Sequence, residues 1–125
     1  MAPDVAQFLL GINYFPRCKG IKLWQAFDRG EVRDELAQIA AWGLDAVRIF
    51  LTWQDFQPGE AHINHRALDS LDALLTAAAD QHLFVLPTLF SGPVDGAFFF
   101  PDWCLDPVSY THLRAHETVL DLVCR

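Results

Sequence analysis

Arg48 lies inside the run Ala46-Val-Arg-Ile-Phe-Leu51, where every neighbour is apolar. A guanidinium taken out of water is costly unless it is paired. The expected partner is a carboxylate, and an arginine beside a carboxylate lowers its pKa and keeps it ionised. A nucleophilic carboxylate needs that state; the plainer reading is a structural ion pair with an interior acid. Thr52-Trp-Gln-Asp-Phe-Gln-Pro58 follows directly. Trp53 offers a flat apolar surface on which the C–H faces of sugar rings pack, or else a core ring. Asp55 reads as an organiser of its loop rather than as a catalyst. Asn13 and Tyr14 close an earlier apolar run, and a carboxamide there can bind a sugar hydroxyl or hold a neighbour's side chain. The plainer readings are a turn-entry asparagine and a core tyrosine. The candidate substrate-binding set is Asn13, Tyr14, Arg48 and Trp53, with no catalytic residue and no metal ligand assigned.

Other side chains carry weaker signals. Trp24, Asp28, Asp102 and Trp103 fall in long loops and are candidates for the walls of a cleft. His62, His65 and His82 are scattered without ligand spacing and read as surface residues. The sequence contains no G-x-S-x-G, no H-E-x-x-H and no P-loop, so serine-nucleophile, metal and nucleotide chemistry find no support, and no cofactor is expected.

Composition narrows the partners. The chain has 125 residues, 52% hydrophobic and 20% charged, with ten Phe and four Trp. That is enough apolar material for a packed core. A net charge of -7 without a Lys/Arg cluster argues against nucleic acid and against an anionic membrane, and favours a neutral substrate. Cys18 and Cys104 show no metal spacing, and a disulfide between them is open. The amino terminus lacks a basic stretch followed by an apolar run, so the reading is cytoplasmic by default, with secretion left open.

The elements that position these residues alternate. Phe8–Phe15, Ala46–Leu51 and Leu83–Phe90 are short, rich in β-branched and aromatic residues, and do not alternate cleanly. That predicts strands buried on both faces, as in a parallel sheet. Between them, Val32, Leu36, Ile39 and Ala40 recur at helical spacing from Glu31 to Trp42, with Gly43 as the stop. Leu68, Leu71, Leu74, Leu75 and Ala78 do the same from His65 to Gln81, after Asn64 as N-cap. The order β-α-β-α-β predicts a parallel α/β fold. Loops leaving the strands are long, whereas Gly43-Leu-Asp45 and Gln81-His82 entering them are short. This asymmetry fits a (β/α)8 TIM barrel with its ligand face at the carboxyl ends of the strands. The competing doubly wound sheet lacks its G-x-G-x-x-G after the first strand. Three strands do not close a barrel and would leave edges unpaired, so the barrel is expected to be incomplete.

Taken together, Gly11-Ile-Asn-Tyr-Phe-Pro16, Trp24-Gln-Ala-Phe-Asp28, Gly43-Leu-Asp-Ala-Val-Arg-Ile-Phe50, Trp53-Gln-Asp-Phe-Gln-Pro58 and Val85-Leu-Pro-Thr-Leu-Phe90 resemble the amino-terminal part of clan-A glycoside hydrolases of the cellulase and β-mannanase type, family 5. The resemblance covers about residues 8 to 106. It implies a retaining glycosidase for β-linked glycosides of the β-mannan or β-glucan class. Such enzymes use two glutamates about 5 Å apart, one as nucleophile and one as acid/base. In this family the acid/base glutamate follows an asparagine at the end of the fourth strand and the nucleophile ends the seventh. Glu31, Glu35 and Glu60 do not stand in for them, so the chain by itself is expected to be inactive. Arg48 matches the family's second-strand arginine, which supports the nucleophile. Relatives often carry a histidine after the third strand, and Ser91-Gly-Pro-Val-Asp-Gly96 has none, which leaves that sugar contact in doubt.

Ser109-Tyr-Thr-His-Leu-Arg-Ala-His-Glu-Thr118 resembles, in one reading frame, a translation of the end sequence that transposase-based libraries attach to DNA fragments. Residues 1–107 are therefore expected to form the partial barrel domain and 108–125 a non-native tail. Three other readings stay open. One is a barrel that binds carbohydrate without catalysis. Another is a different barrel enzyme, such as an aldolase or isomerase. The third is a small α/β domain that ends in a tail helix.

Overall fold

The computed structural model describes residues 7–91, 93–94 and 96–105. The expected tail over 108–125 lies outside the described residues, as does the boundary at 107.

Strands β1 (Gly11–Asn13), β2 (Ala46–Thr52) and β3 (Phe84–Ser91) form one sheet in the order β1-β2-β3, and both pairings are parallel. Helix α1 (Arg29–Ala41) connects β1 to β2; α2 (Trp53–Phe56) and α3 (His65–Asp80) connect β2 to β3. The fold is thus α/β with a parallel sheet, as the alternating pattern predicts.

The helix ends are fixed by side chains. Asp28 accepts the Glu31 N–H at 3.0 Å at the start of α1. Asn64 accepts from the Arg66 and Ala67 N–H groups at the start of α3. Gly43, just past α1, has φ +85, a left-handed conformation that stops a helix at little cost only in glycine.

The core lies between one face of the sheet and the two long helices. Val47, Ile49 and Leu51 of β2 meet Val32, Leu36 and Ile39 of α1 and Leu74 and Ala78 of α3. Leu36, Ile49 and Leu74 are fully buried, and burial of each such side chain stabilises the fold by about 1.5–3 kcal/mol.

Three expectations are corrected. The first strand is shorter than Phe8–Phe15, because at its far end the chain turns at Pro16, whose carbonyl accepts the Lys19 and Gly20 N–H groups. The strands are not buried on both faces: Arg48, Leu86, Leu89 and Phe90 are exposed. In α3 the contact stripe runs through Ala67, Leu71, Leu74 and Ala78, while Leu68 and Leu75 flank it and stay 40% exposed. The apolar arc of this helix is wider than the surface packed against it.

The long loop expected after β3 contains a small antiparallel hairpin, β4 (Pro93–Val94) and β5 (Ala97–Phe98). Short 3-10 turns occupy Gly20–Lys22 and Asp102–Leu105. Cys18 is a free surface thiol.

Candidate functional site

Successive residues of a strand face opposite sides of the sheet, so parity decides which side chains meet. Asn13, Arg48 and Leu86 are register partners across the three strands. All three are exposed on the side away from α1 and α3, beside an open depression of about 400 Å³ that they line with Gly11, Ile12 and Ala46. Gly11 is needed there: a Cβ would sit 3.0 Å from the Ala46 carbonyl oxygen, so glycine lets β1 approach β2.

Arg48 differs from its expected setting. It is neither buried nor salt-bridged; among the described residues it forms no ion pair. Its Nε donates to Thr88 Oγ1 at 2.8 Å and its guanidinium lies 4.8 Å from the Phe50 ring centroid. Phe50 in turn stacks on Phe15 at 5.2 Å. The side chain is held from two sides, by a hydroxyl and by a ring, with its terminal nitrogens directed to no described carboxylate. Strand parity explains the exposure: Val47 and Ile49 take the core side, so Arg48 takes the other.

Tyr14 is not gathered to this face. It is buried on the helix side, and its hydroxyl donates to Glu35 Oε2 of α1 at 2.6 Å. Glu35 Oε1 accepts the Arg17 N–H at 3.0 Å, so the pair ties the β1 exit to α1. Burial, and then the neighbouring Glu35 carboxylate, push the Tyr14 phenol far above its ordinary value.

Trp53 is also not an open platform. It is 9% exposed, its N–H donates to Gln57 Oε1 at 2.9 Å, and the rings of Phe90, Phe100 and Trp103 meet it edge to face. Asp55 orders its loop, accepting from Thr52 Oγ1 and, at 3.2 Å, from Gln25 Nε2. Asp28 serves as the cap of α1, where the Glu31 N–H holds its carboxyl below the ordinary range. Trp24 is buried and donates to the Phe50 carbonyl, and Trp103 donates to the Gln57 carbonyl. Asp102 is exposed, as are all three described histidines, His62, His65 and His82. Among the described residues no group of three His, Cys, Asp or Glu side chains is placed to hold a metal ion, and no helix is long and apolar enough to cross a membrane.

No protein-family model matches the chain, and no curated protein does. Solved structures do. An exo-β-1,4-mannosidase from Opitutaceae bacterium strain TAV5 is 33% identical with a TM-score of 0.75, over 83% of this chain and 20% of that one. A GH5_18 protein from Streptomyces cattleya, solved in complex with Manβ1-4GlcNAc, is 36% identical with a TM-score of 0.74, over 77% and 23%. A third, GH5_18 from Bifidobacterium longum subsp. longum ATCC 55813, is 28% identical with a TM-score of 0.75, over 78% and 23%. The described part of the chain is similar to the amino-terminal part of glycoside hydrolase family 5 structures. It spans about a fifth of the length of these relatives, and its three parallel strands match part of a TIM barrel. On that barrel the face bearing Asn13 and Arg48 is the interior side of the sheet, and the helices α1 and α3 belong to the outer ring.

The sequence did not point to Thr88, Phe50, Phe90, Phe98 or Phe100. Parallel register was the available signal for the first two, since Phe50 and Thr88 are partners two positions beyond Arg48 and Leu86. The aromatic density of Phe98-Phe-Phe100 and Trp103 was the signal for the rest.

Proposed function

We propose that this chain supplies the first strands of a family 5 retaining β-glycosidase that acts on β-mannosides. The supporting observation is the pairing of Asn13 with Arg48 at adjacent positions of parallel strands on the barrel's interior side. In this reading Asn13 meets a sugar hydroxyl. Arg48, steadied by Thr88 and Phe50, directs its terminal nitrogens at the nucleophilic glutamate, which the family resemblance places on the seventh strand. A cation beside that carboxylate keeps it ionised and oriented for attack at the anomeric carbon. Tyr14 acts at a distance, by fixing the end of β1 to α1. Trp53 acts as a scaffold for neighbouring rings.

The substrate class rests on the relatives: one is described as an exo-β-1,4-mannosidase and two were solved with Manβ1-4GlcNAc. The resemblance places both glutamates on strands other than these three, so the 125-residue chain alone is inactive. The test is mannose release from Manβ1-4GlcNAc by the protein expressed in full from the source gene, beside the 125-residue chain. Release by the first and none by the second is the expected result. No release by either, with the disaccharide still bound, would replace the hydrolase reading with a binding barrel.

A further inference from the structure

Two positions beyond Asn13, Arg48 and Leu86, the sheet carries a second row of side chains on the same side. Phe50 and Thr88 are register partners there, and Phe15 follows from the exit of β1. The rings of Phe15 and Phe50 stack at 5.2 Å, 7° from parallel. Arg48 reaches up into this row: its guanidinium is 4.8 Å from the Phe50 centroid, and its Nε donates to Thr88 Oγ1 at 2.8 Å. The groups that hold Arg48 come from β2 and from its neighbour β3, so the grip is complete within this chain.

The Thr88 hydroxyl is itself placed by the end of β3. The Thr88 carbonyl accepts the Ser91 hydroxyl at 3.1 Å, Ser91 is buried opposite Thr52, and the β2–β3 register shifts between Phe50 and Thr52. Such a shift bends a strand and re-aims its side chains, and this one follows directly on the Phe50–Thr88 pair. The branched side chain of threonine leaves its hydroxyl few positions.

A guanidinium can grip a carboxylate by either of two edges. One is the side edge, Nε with a terminal nitrogen; the other is the end edge of two terminal nitrogens. Thr88 occupies Nε. Only the end edge remains for a two-bond contact, and Phe50 holds the group against its ring.

Resting on the β-glycosidase reading, we propose that Thr88 is a positioning residue that commits Arg48 to end-on contact with the nucleophilic carboxylate. Thr88 acts through Arg48, by deciding which pair of its donors faces the reaction.

The test uses the protein expressed in full from the source gene, with Manβ1-4GlcNAc as substrate. Thr88→Val keeps the branched shape and removes the acceptor. Its kcat falls about tenfold or more, the worth of a hydrogen bond to a charged group, with KM nearly unchanged. The acid limb of kcat/KM moves up, because a carboxylate less well met by the cation holds its proton more tightly. Thr88→Ser restores both, and Thr88→Val added to Arg48→Gln causes no further loss. An unchanged kcat and acid limb, a loss that adds in full to that of Arg48→Gln, or a lowered Tm with an unmoved acid limb overturns the proposal. If Thr88→Val does not fold, Thr88→Ala is judged by the same readings. If the unsubstituted protein cleaves nothing, the hydrolase reading fails on its own. The edge selection is then judged by 15N NMR of the Arg48 Nε–H, identified by its loss in Arg48→Gln. A slowly exchanging signal that Thr88→Val abolishes and Thr88→Ser keeps sustains it. No such signal, or one that Thr88→Val leaves in place, overturns it.

Discussion

Asn13 and Tyr14 are adjacent in sequence, and that adjacency alone prevents both from reaching one face of a strand. A single step along β1 reverses the side chain's direction, so when Asn13 lines up with Arg48, Tyr14 must enter the helix layer. The sequence placed both at the strand end, and strand parity, once register is known, divides their directions. Arg48 was legible as the one charge in an apolar strand. Its exposure was not, because an apolar run does not say which of its faces is covered. In the proposed enzyme, Arg48→Gln removes the cation beside the nucleophile. The expected outcome is a kcat loss of at least an order of magnitude and an acid limb of the kcat/KM profile moved up by about 1–3 pH units. A loss of stability with an unmoved profile would instead make Arg48 structural. Tyr14 gives a second pH test. Its phenol is raised above the ordinary 10.0, so the folded state holds that proton more tightly than the unfolded state. The stabilisation is complete below about pH 10 and is lost as pH rises toward the folded value. Alkaline difference spectroscopy should show Tyr14 ionising only with unfolding, and Tyr14→Phe should lessen the alkaline loss of stability.

The helices were the most legible elements, because their ends carry specific chemistry. Asn64 was readable as an N-cap and accepts two backbone N–H groups; Gly43 was readable as a stop and adopts φ +85. Asn64→Ala is expected to lower stability by ~1 kcal/mol in denaturant titration. Asp28 was read as a cleft residue, since a loop aspartate before a helix looks the same in either role. Its depressed carboxyl gives the opposite sign from Tyr14: the contribution of the cap is present above the ordinary 3.8 and is lost as pH falls through the folded value. Asp28→Asn, a neutral cap, should flatten that acid dependence while keeping α1 helical by circular dichroism. The β4–β5 hairpin was not legible. Its strands have two residues each, too short for alternation to register, and its position depends on contacts with α2 and Trp53 from distant parts of the chain.

At the scale of the molecule, one sheet face is packed under α1 and α3 while the other presents Leu86 beside Asn13 and Arg48; Leu89, Phe90 and, on the hairpin, Phe98 are also exposed. Contiguous apolar surface of this kind seeks a partner. The 125-residue chain expressed alone is expected to bind a hydrophobic dye and to self-associate on gel filtration; a dye-silent monomer with a cooperative thermal transition would mark a self-sufficient domain. The parallel α/β order and the partial barrel were legible because the loops are long on one side of the strands and short on the other. The proposed function makes this chain one segment of a family 5 β-glycosidase barrel. The measurement that tests it most directly is the sequence of the source DNA across the codons for Asp106 to Thr118 and beyond. The native frame is expected to leave the present sequence near there and to continue into a fourth strand ending in Asn-Glu. Source DNA that encodes Ser109 to Thr118 as written, with no such strand after it, would overturn the β-glycosidase reading.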